Sequence, residues 1–399
     1  MRLSKGVIPA IFLVGLVLSI LTVLPATGQE SQGKPPLDDR SWALFQRIFG
    51  MVLRDYVEPK DPQDVVLGAL KGAASSAGPE CAYVPPDQVA SYQAARANAV
   101  GLPLFVTKES DFARLIARYP NQDATVKPGD ALRFIGDRST YDLSYPQVLV
   151  ALRGNAGEKV RCIFIKPESW QSYTVTLDRT PPAEPRWVPL GAPGGALVIP
   201  CLDTTLPAAV KNALQASKGA VVVDLRGCAD DDARLAFRWA GDLLGSIESP
   251  VRKGAKGSVR EPLEGSGYLA RRPLRVLVDG TTGRAGEVLA LALSNAGATL
   301  VGSPTFGFAG YFQDFPLENG GLLRLNTAYF LAPDGSALKG HPIAPAIPLT
   351  MAEAAKPEET YTAVLKAPPP KADNGKGAAK SVQKDKAQHP PKAGSADGR

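Results

Sequence analysis

The stretch Ala220-Val221-Val222-Val223-Asp224-Leu225-Arg226-Gly227 decides the fold. A continuous apolar run such as Ala220 to Leu225 is the kind carried by a strand buried on both faces. Working outward, Asp232 to Leu244 has the spacing of a helix, Leu274 to Val278 is a second buried strand, and Ala285 to Asn295 is a second helix. On the upstream side, Ala196 to Pro200 is a short strand and Pro207 to Ser217 a helix. Strand–helix alternation implies crossovers and a largely parallel sheet, so residues 186–350 are expected to form a mixed α/β core.

The texture differs before that core. Over residues 100–180 the chain alternates short strands with turns: Lys127-Pro128-Gly129-Asp130, a strand from Ala131 to Ile135, then Gly136-Asp137. Ser144 to Leu152 suits a helix, Lys159 to Ile165 a strand, and Tyr173, Val175 and Leu177 a closing strand, which together suggest a small β-rich barrel. Further upstream, residues 29–99 are an N-terminal helical region. Phe45, Ile48, Phe49, Val52 and Tyr56 recur at helical spacing, and Asp61-Pro62 starts a second helix with Val66, Leu70, Ala73, Ala74 and Ala77 on its stripe.

Both ends of the chain have a different character. Arg2 and Lys5 precede an uncharged apolar stretch from Gly6 to Leu24, and Pro25-Ala26-Thr27-Gly28 offers small residues for cleavage before Gln29. Residues 1–28 are therefore expected to be an export signal, or an uncleaved single-span anchor, and either places the body outside the cytoplasm. From Lys366 to Arg399 the composition is Pro, Lys, Gly, Ala and Asp, which cannot bury enough surface to offset ordering entropy. This tail holds most of the chain's net charge of +6, so the middle is close to neutral and a nucleic-acid surface on it is not expected. Two His and four widely spaced Cys give no metal-ligand pattern, and no cofactor is expected.

The central motifs resemble the C-terminal processing (tail-specific) serine peptidases, an exported family carrying a PDZ domain. Arg54-Asp55-Tyr56-Val57 and Gly68-Ala69-Leu70-Lys71-Gly72 resemble its N-terminal helical pair. Lys127-Pro128-Gly129-Asp130 with Leu152-Arg153-Gly154-Asn155-Ala156-Gly157 resembles its PDZ domain. Val223-Asp224-Leu225-Arg226-Gly227, Thr305-Phe306-Gly307 and Ala332-Pro333-Asp334-Gly335 resemble its core, in family order. The resemblance implies an α/β multidomain protein: a PDZ-like domain over 100–180 beside a peptidase-like core over 186–350.

It also implies a serine nucleophile activated by a lysine, since serine at its free pKa needs a neighbouring base. In the family the nucleophile lies three residues before a glutamate that opens a helix. Here the run is Thr282-Gly283-Arg284-Ala285-Gly286-Glu287, which puts Arg284 at that position. The family's lysine directly follows Thr-Phe-Gly, and here Phe308 does. Where a glycine pair lets backbone N–H groups meet the oxyanion, this chain has Ala229-Asp230-Asp231. Three requirements fail together, so a pseudopeptidase is expected, with Arg284 and Phe308 stacked across the cleft and the run Asp230-Asp231-Asp232 offsetting the arginine. An active enzyme would need a substitute nucleophile from Thr281, Thr282 or Cys228, and no lysine or histidine is evidently placed to activate one; His341 is expected to be an ordinary loop histidine. If their strands are neighbours, Cys201 and Cys228 lie at one sheet edge and could pair.

The resemblance assigns peptide-tail binding to the loop Gly101-Leu102-Pro103-Leu104-Phe105, where a guest strand adds to a sheet edge and loop N–H groups hold its carboxylate. Pro103 removes one of those donors. Two readings of different class follow: an exported scaffold that binds protein tails or a partner, and an unconventional active peptidase.

Overall fold

Parallel pairing of Gly195–Val198, Val221–Asp224, Leu274–Val278 and Thr299–Gly302 builds the centre of a six-stranded sheet. Ile347–Pro348 extends it in parallel at one edge, and Arg186–Pro189 closes the other edge antiparallel. The computed structural model describes residues 38–108, 111–119, 125–190, 194–349 and 357–366. The export stretch, and the basic tail beyond Lys366, lie outside them. No helix among the described residues is long and apolar enough to cross a membrane.

The segment ending at Lys60 is a unit of its own and holds helix α1 (Asp39–Asp55). The Asp38 side chain caps it by accepting from the Ser41 N–H at 2.7 Å, and none of its residues is buried. From Asp61 onward the chain forms one compact unit. Helix α2 (Pro62–Ser75) opens it, with Asp61 as cap and proline in the first turn, where the missing N–H leaves no bond unmade. Helices α3 (Pro86–Ala97), α4 (Tyr145–Leu152), α5 (Ala208–Ala216), α6 (Ala233–Leu244), α7 (Ala285–Asn295) and α8 (Pro357–Lys366) follow.

Period-two alternation sorts the central strands between two cores. Leu197, Val221, Val223 and Val276 face the larger cluster with Trp239 of α6 and Val288 and Leu289 of α7. Val198, Val222, Leu277 and Val301 face the opposite side, where Tyr361 and Val364 of α8 cover them. Sequence reading carries the tail from Lys366, whereas the structure makes Lys366 the last residue of α8.

Residues 104–178 form a separate antiparallel sheet in the order Leu104–Thr107, Ala113–Arg118, Ala131–Ile135, Lys159–Ile165, Ser172–Asp178. Its core of Leu132, Cys162 and Phe164 is closed by Val148 and Leu152 of α4. A third sheet is built round the ribbon Gly310–Pro316 and Leu322–Phe330, with Ala82–Val84 and Arg252–Gly254 paired to its longer strand.

The α8 contact is specific as well as apolar. The Tyr361 hydroxyl donates to Asp224 Oδ2 at 2.7 Å, and the same oxygen pairs with Arg226 at 2.8 Å. Tyr361 is 1 % exposed, so Tyr361→Ala should lose about 3–5 kcal/mol in urea unfolding. Tyr361→Phe, which keeps the ring, should lose about 1 kcal/mol. Equal losses for the two variants would contradict this account of α8.

Candidate functional site

The carboxyl ends of the parallel strands bring three loops together, the usual place for a site in an open α/β sheet. Thr282 donates through Oγ1 to the Leu225 carbonyl at 3.0 Å, and the Gly283 N–H donates to Cys228 O at 3.0 Å. The Phe306 N–H donates to Thr282 O at 2.9 Å, which ties in the third loop. A Cβ on Gly286 would lie 2.2 Å from Cys228 O, so α7 can start this close to the loop only with glycine there.

Arg284 precedes α7 with φ 51° and ψ −116°, an uncommon backbone state for a residue with a side chain. Its N–H donates to Phe308 O and to Glu287 Oε2, each at 3.1 Å. The positions that resemblance gives to nucleophile and base are therefore adjacent in backbone.

Their side chains part, which corrects the expected stack. The Phe308 ring packs on Tyr329 and Phe312, with centroids 6.2 and 6.3 Å away. The Arg284 guanidinium is buried elsewhere: it pairs with Glu80, donates to Tyr145 Oη at 3.1 Å, and donates to Val106 O at 2.7 Å. Tyr145, at the start of α4, has both Arg284 and Arg324 Cζ 5.2 Å from its ring centroid. Charge attracts each guanidinium to the ring's π face.

Of the acidic run, Asp231 lies near enough to interact with the Arg284 charge, as expected, whereas Asp230 and Asp232 turn to other partners. Asp230 turns inward, accepting from the Leu202 N–H at 2.8 Å and the Cys201 thiol at 3.1 Å, and burial raises its pKa. Asp231 pairs with Arg324 at 3.3 Å, and Asp232 with Arg96 at 3.0 Å. Burial opposes ionisation of Asp231, but the guanidiniums of Arg324, Arg96, Arg284 and Arg153 outweigh it and hold the carboxyl at about 2. The direct counter-ion of Arg284 is thus Glu80, which sequence reasoning missed. Nothing in the spacing of residues 80 and 284 signals the pair.

Cys201 and Cys228 do lie on neighbouring strands' ends, yet both are free thiols bonded to the Asp230 carboxylate, Cys228 at 3.7 Å. Burial and the Asp230 charge push both thiols up, the reverse of an activated nucleophile. Thr281 donates to Asp279 Oδ1 at 2.5 Å. Lys108, a buried amine whose pKa burial lowers, donates to the Asp111 and Tyr141 carbonyls. His341 is exposed in its loop.

At the loop 101–105, the Gly101 N–H donates to Thr180 O at 3.1 Å, the Leu102 N–H to Leu152 O at 2.9 Å, and the Leu104 N–H to Leu102 O at 2.7 Å. The donors that resemblance assigns to a carboxylate are bonded within the chain. On the same strand, Val106 O accepts from Arg284 and Lys108 O from the Glu80 N–H at 3.2 Å. Beside the strand a cavity of about 130 Å³ remains, lined by Leu102, Leu104, Phe105, Leu149 and Leu152 and bounded by Arg96, Arg153, Asp231 and Arg284. Among the described residues no cluster of His, Cys, Asp and Glu could hold a metal ion.

Glu287 holds the loops together. It accepts from the Thr305 hydroxyl, from the Gly307 and Phe308 N–H groups at 2.7 and 2.9 Å, and from Arg284. Burial outweighs these four donors and pushes its carboxyl up to about 7.

The sequence matches the model of peptidase family S41 over residues 197–349. It is 24 % identical over 323 residues to a carboxy-terminal-processing protease of Bartonella bacilliformis, covering 76 % of this chain and 74 % of that one. It is 22 % identical over 362 residues to the carboxy-terminal processing protease CtpA of Bacillus subtilis, covering 87 % and 77 %. The fold is similar to that of a photosystem II D1 C-terminal processing protease, with a TM-score of 0.62 at 19 % identity over 81 % of this chain and 91 % of that structure.

A carboxyl held above its unfolded value of 4.5 contributes stability that is complete below that pH and is lost as pH rises through about 7. The span corresponds to roughly 3 kcal/mol. Urea unfolding at pH 4.5 and pH 8 should show wild type losing that amount from this group, and Glu287→Gln losing the slope. The same pH dependence in both proteins would contradict the assignment.

Proposed function

The chain belongs to the family of C-terminal processing peptidases, and from that premise we propose that it is a non-catalytic, extracytoplasmic member that binds protein tails rather than cutting them. The observation that carries this reading is the Arg284 side chain. It stands where the family's nucleophile would stand, and it is buried in bonds to Glu80, Tyr145 and Val106. A guanidinium keeps its proton and attacks no carbonyl. Phe308 at the base position has no proton acceptor.

The oxyanion requirement fails in the same region. The Arg284 and Ala285 N–H groups at the start of α7 are bonded to Phe308 O and Asp230 O, each within 3.1 Å. Asp231, ionised at neutral pH, lines the cavity that a developing negative charge would occupy. The substitutes are no better, because Thr282 is fully buried with its hydroxyl bonded and Cys228 is a protonated, buried thiol.

Binding would use the cavity between the strand Leu104–Thr107 and α4. Its volume of about 130 Å³ suits one apolar side chain, not a strand of several residues. In this reading the partner is a protein tail ending in an apolar residue, that residue against Leu104, Phe105 and Leu149 and its carboxylate facing Arg96 and Arg153. The apolar stretch Gly6 to Leu24 behind Arg2 and Lys5 supports residence outside the cytoplasm.

An unstructured reporter with an apolar C-terminus separates the readings. Incubated with an equimolar amount of protein, it should remain intact, while a fluorescent copy of its tail binds saturably and Phe105→Ala weakens binding about tenfold. Arg284→Ser with Phe308→Lys should restore little cleavage, because Ala229-Asp230-Asp231 still stands in place of the oxyanion glycines. Turnover by wild type that Thr282→Ala or Cys228→Ala abolishes would establish the enzyme instead.

A further inference from the structure

Helix α1 presents an apolar face that no residue of its own unit buries. Trp42, Leu44, Phe45, Ile48, Met51 and Val52 are between 36 and 57 % exposed. Placed at roughly 100° per residue, the apolar positions of Asp39–Asp55 occupy an arc of roughly 200°. Arg40, Arg47 and Arg54 follow one another at seven-residue intervals and form a line along one flank of that arc, all exposed. Arg54 pairs with Asp55 at 2.7 Å, an exposed contact of little energetic weight, and Asp39 sits at the opposite end.

From this pattern we propose that α1 lies in the surface of an anionic lipid leaflet, with its aromatic and aliphatic face among the acyl chains and its arginines at the headgroups. At a rise of about 1.5 Å per residue the helix is about 25 Å long, too short to span a hydrocarbon core, and three arginines forbid that course. A wide apolar arc edged by basic residues is the form of a helix that lies in the interface. Trp and Tyr favour that depth, and Trp42 and Tyr56 lie at the two ends of the face.

A second copy of the chain fits the face less well. A helix pair buries a seam of two positions in seven, and the arc of α1 is about twice as wide, so pairing would leave half of it in water. Chain length also points to a membrane. Only the 14 residues Pro25–Asp38 separate the apolar stretch ending at Leu24 from α1, a reach of at most about 50 Å. If the leader stays in place, α1 remains beside the bilayer; if it is cleaved, α1 supplies attachment of its own.

The test uses the full chain and vesicles of phosphatidylcholine with or without phosphatidylglycerol, their acyl chains brominated to quench indole. Trp42→Phe identifies the Trp42 contribution among the four tryptophans. Trp42 emission should be quenched in anionic vesicles. Each arginine near an anionic surface is worth about fivefold in partitioning, so replacing Arg40, Arg47 and Arg54 together by Gln should raise the half-saturating lipid concentration at least about tenfold. Unquenched Trp42, quenching that is indifferent to lipid charge or to the triple substitution, or a lipid-free dimer that protects Trp42 would each overturn the proposal.

Discussion

The buried ion pair between Glu80 and Arg284 is the constraint on which the site depends. Glu80 enters from the turn after α2 with φ 63°, and Arg284 enters from the turn before α7 with φ 51°, so both ends are set by uncommon backbone states. Taking two such charges out of water costs several kcal/mol per ion, and attraction offsets this only where geometry and further hydrogen bonds are good. Here Thr107 donates to the same Glu80 oxygen at 2.9 Å, and Tyr145 and Val106 O take two more guanidinium hydrogens, while Glu80 Oε2 and Arg284 Nε have no hydrogen-bond partner among the described residues and burial raises the Glu80 pKa. Thr107, Val106 and Tyr145 come from the antiparallel sheet and from α4. The pair thereby holds both against the carboxyl ends of the parallel strands.

Around that pair the backbone is closely held. The tight turn into α7, the glycine at 286 and the fourfold bonding of Glu287 all position the residue at 284 with precision. The carboxyls in the region are driven in opposite directions by their surroundings. Glu287 meets only neutral donors, so burial dominates. Asp231 sits among four guanidiniums, so charge dominates. A cleft that keeps one carboxylate ionised amid fixed arginines has a polar wall.

Much of this was legible in the sequence because the signals were local. The buried runs round Val223 and Val276 and the period of Ala285–Asn295 mark the core. Proline or an acidic cap marks the start of α2 and α4, and the register from Glu287 back to Arg284 follows by counting. The obscure parts depend on distant contacts. Helix α3 buries only Tyr92 and Ala95 and has a weak stripe, and α8 is held mainly by Tyr361 and Val364. The ribbon Gly310–Leu322 and onward alternates poorly because both of its faces are partly covered. The choice of Glu80 over Asp230 as counter-ion, and of Tyr145 over Phe308 as the ring beside Arg284, needed the third dimension. Residues 80, 145 and 284 are far apart in sequence and meet only in the folded chain.

A double-mutant cycle on Glu80→Gln and Arg284→Met, read by urea unfolding, tests the closed site most directly. A pair buried and bonded as described should show a coupling of roughly 2–5 kcal/mol, each single change being far more harmful than its share of the double. A coupling near zero would mean that the two side chains do not meet in the folded protein, and the cleft would then be open.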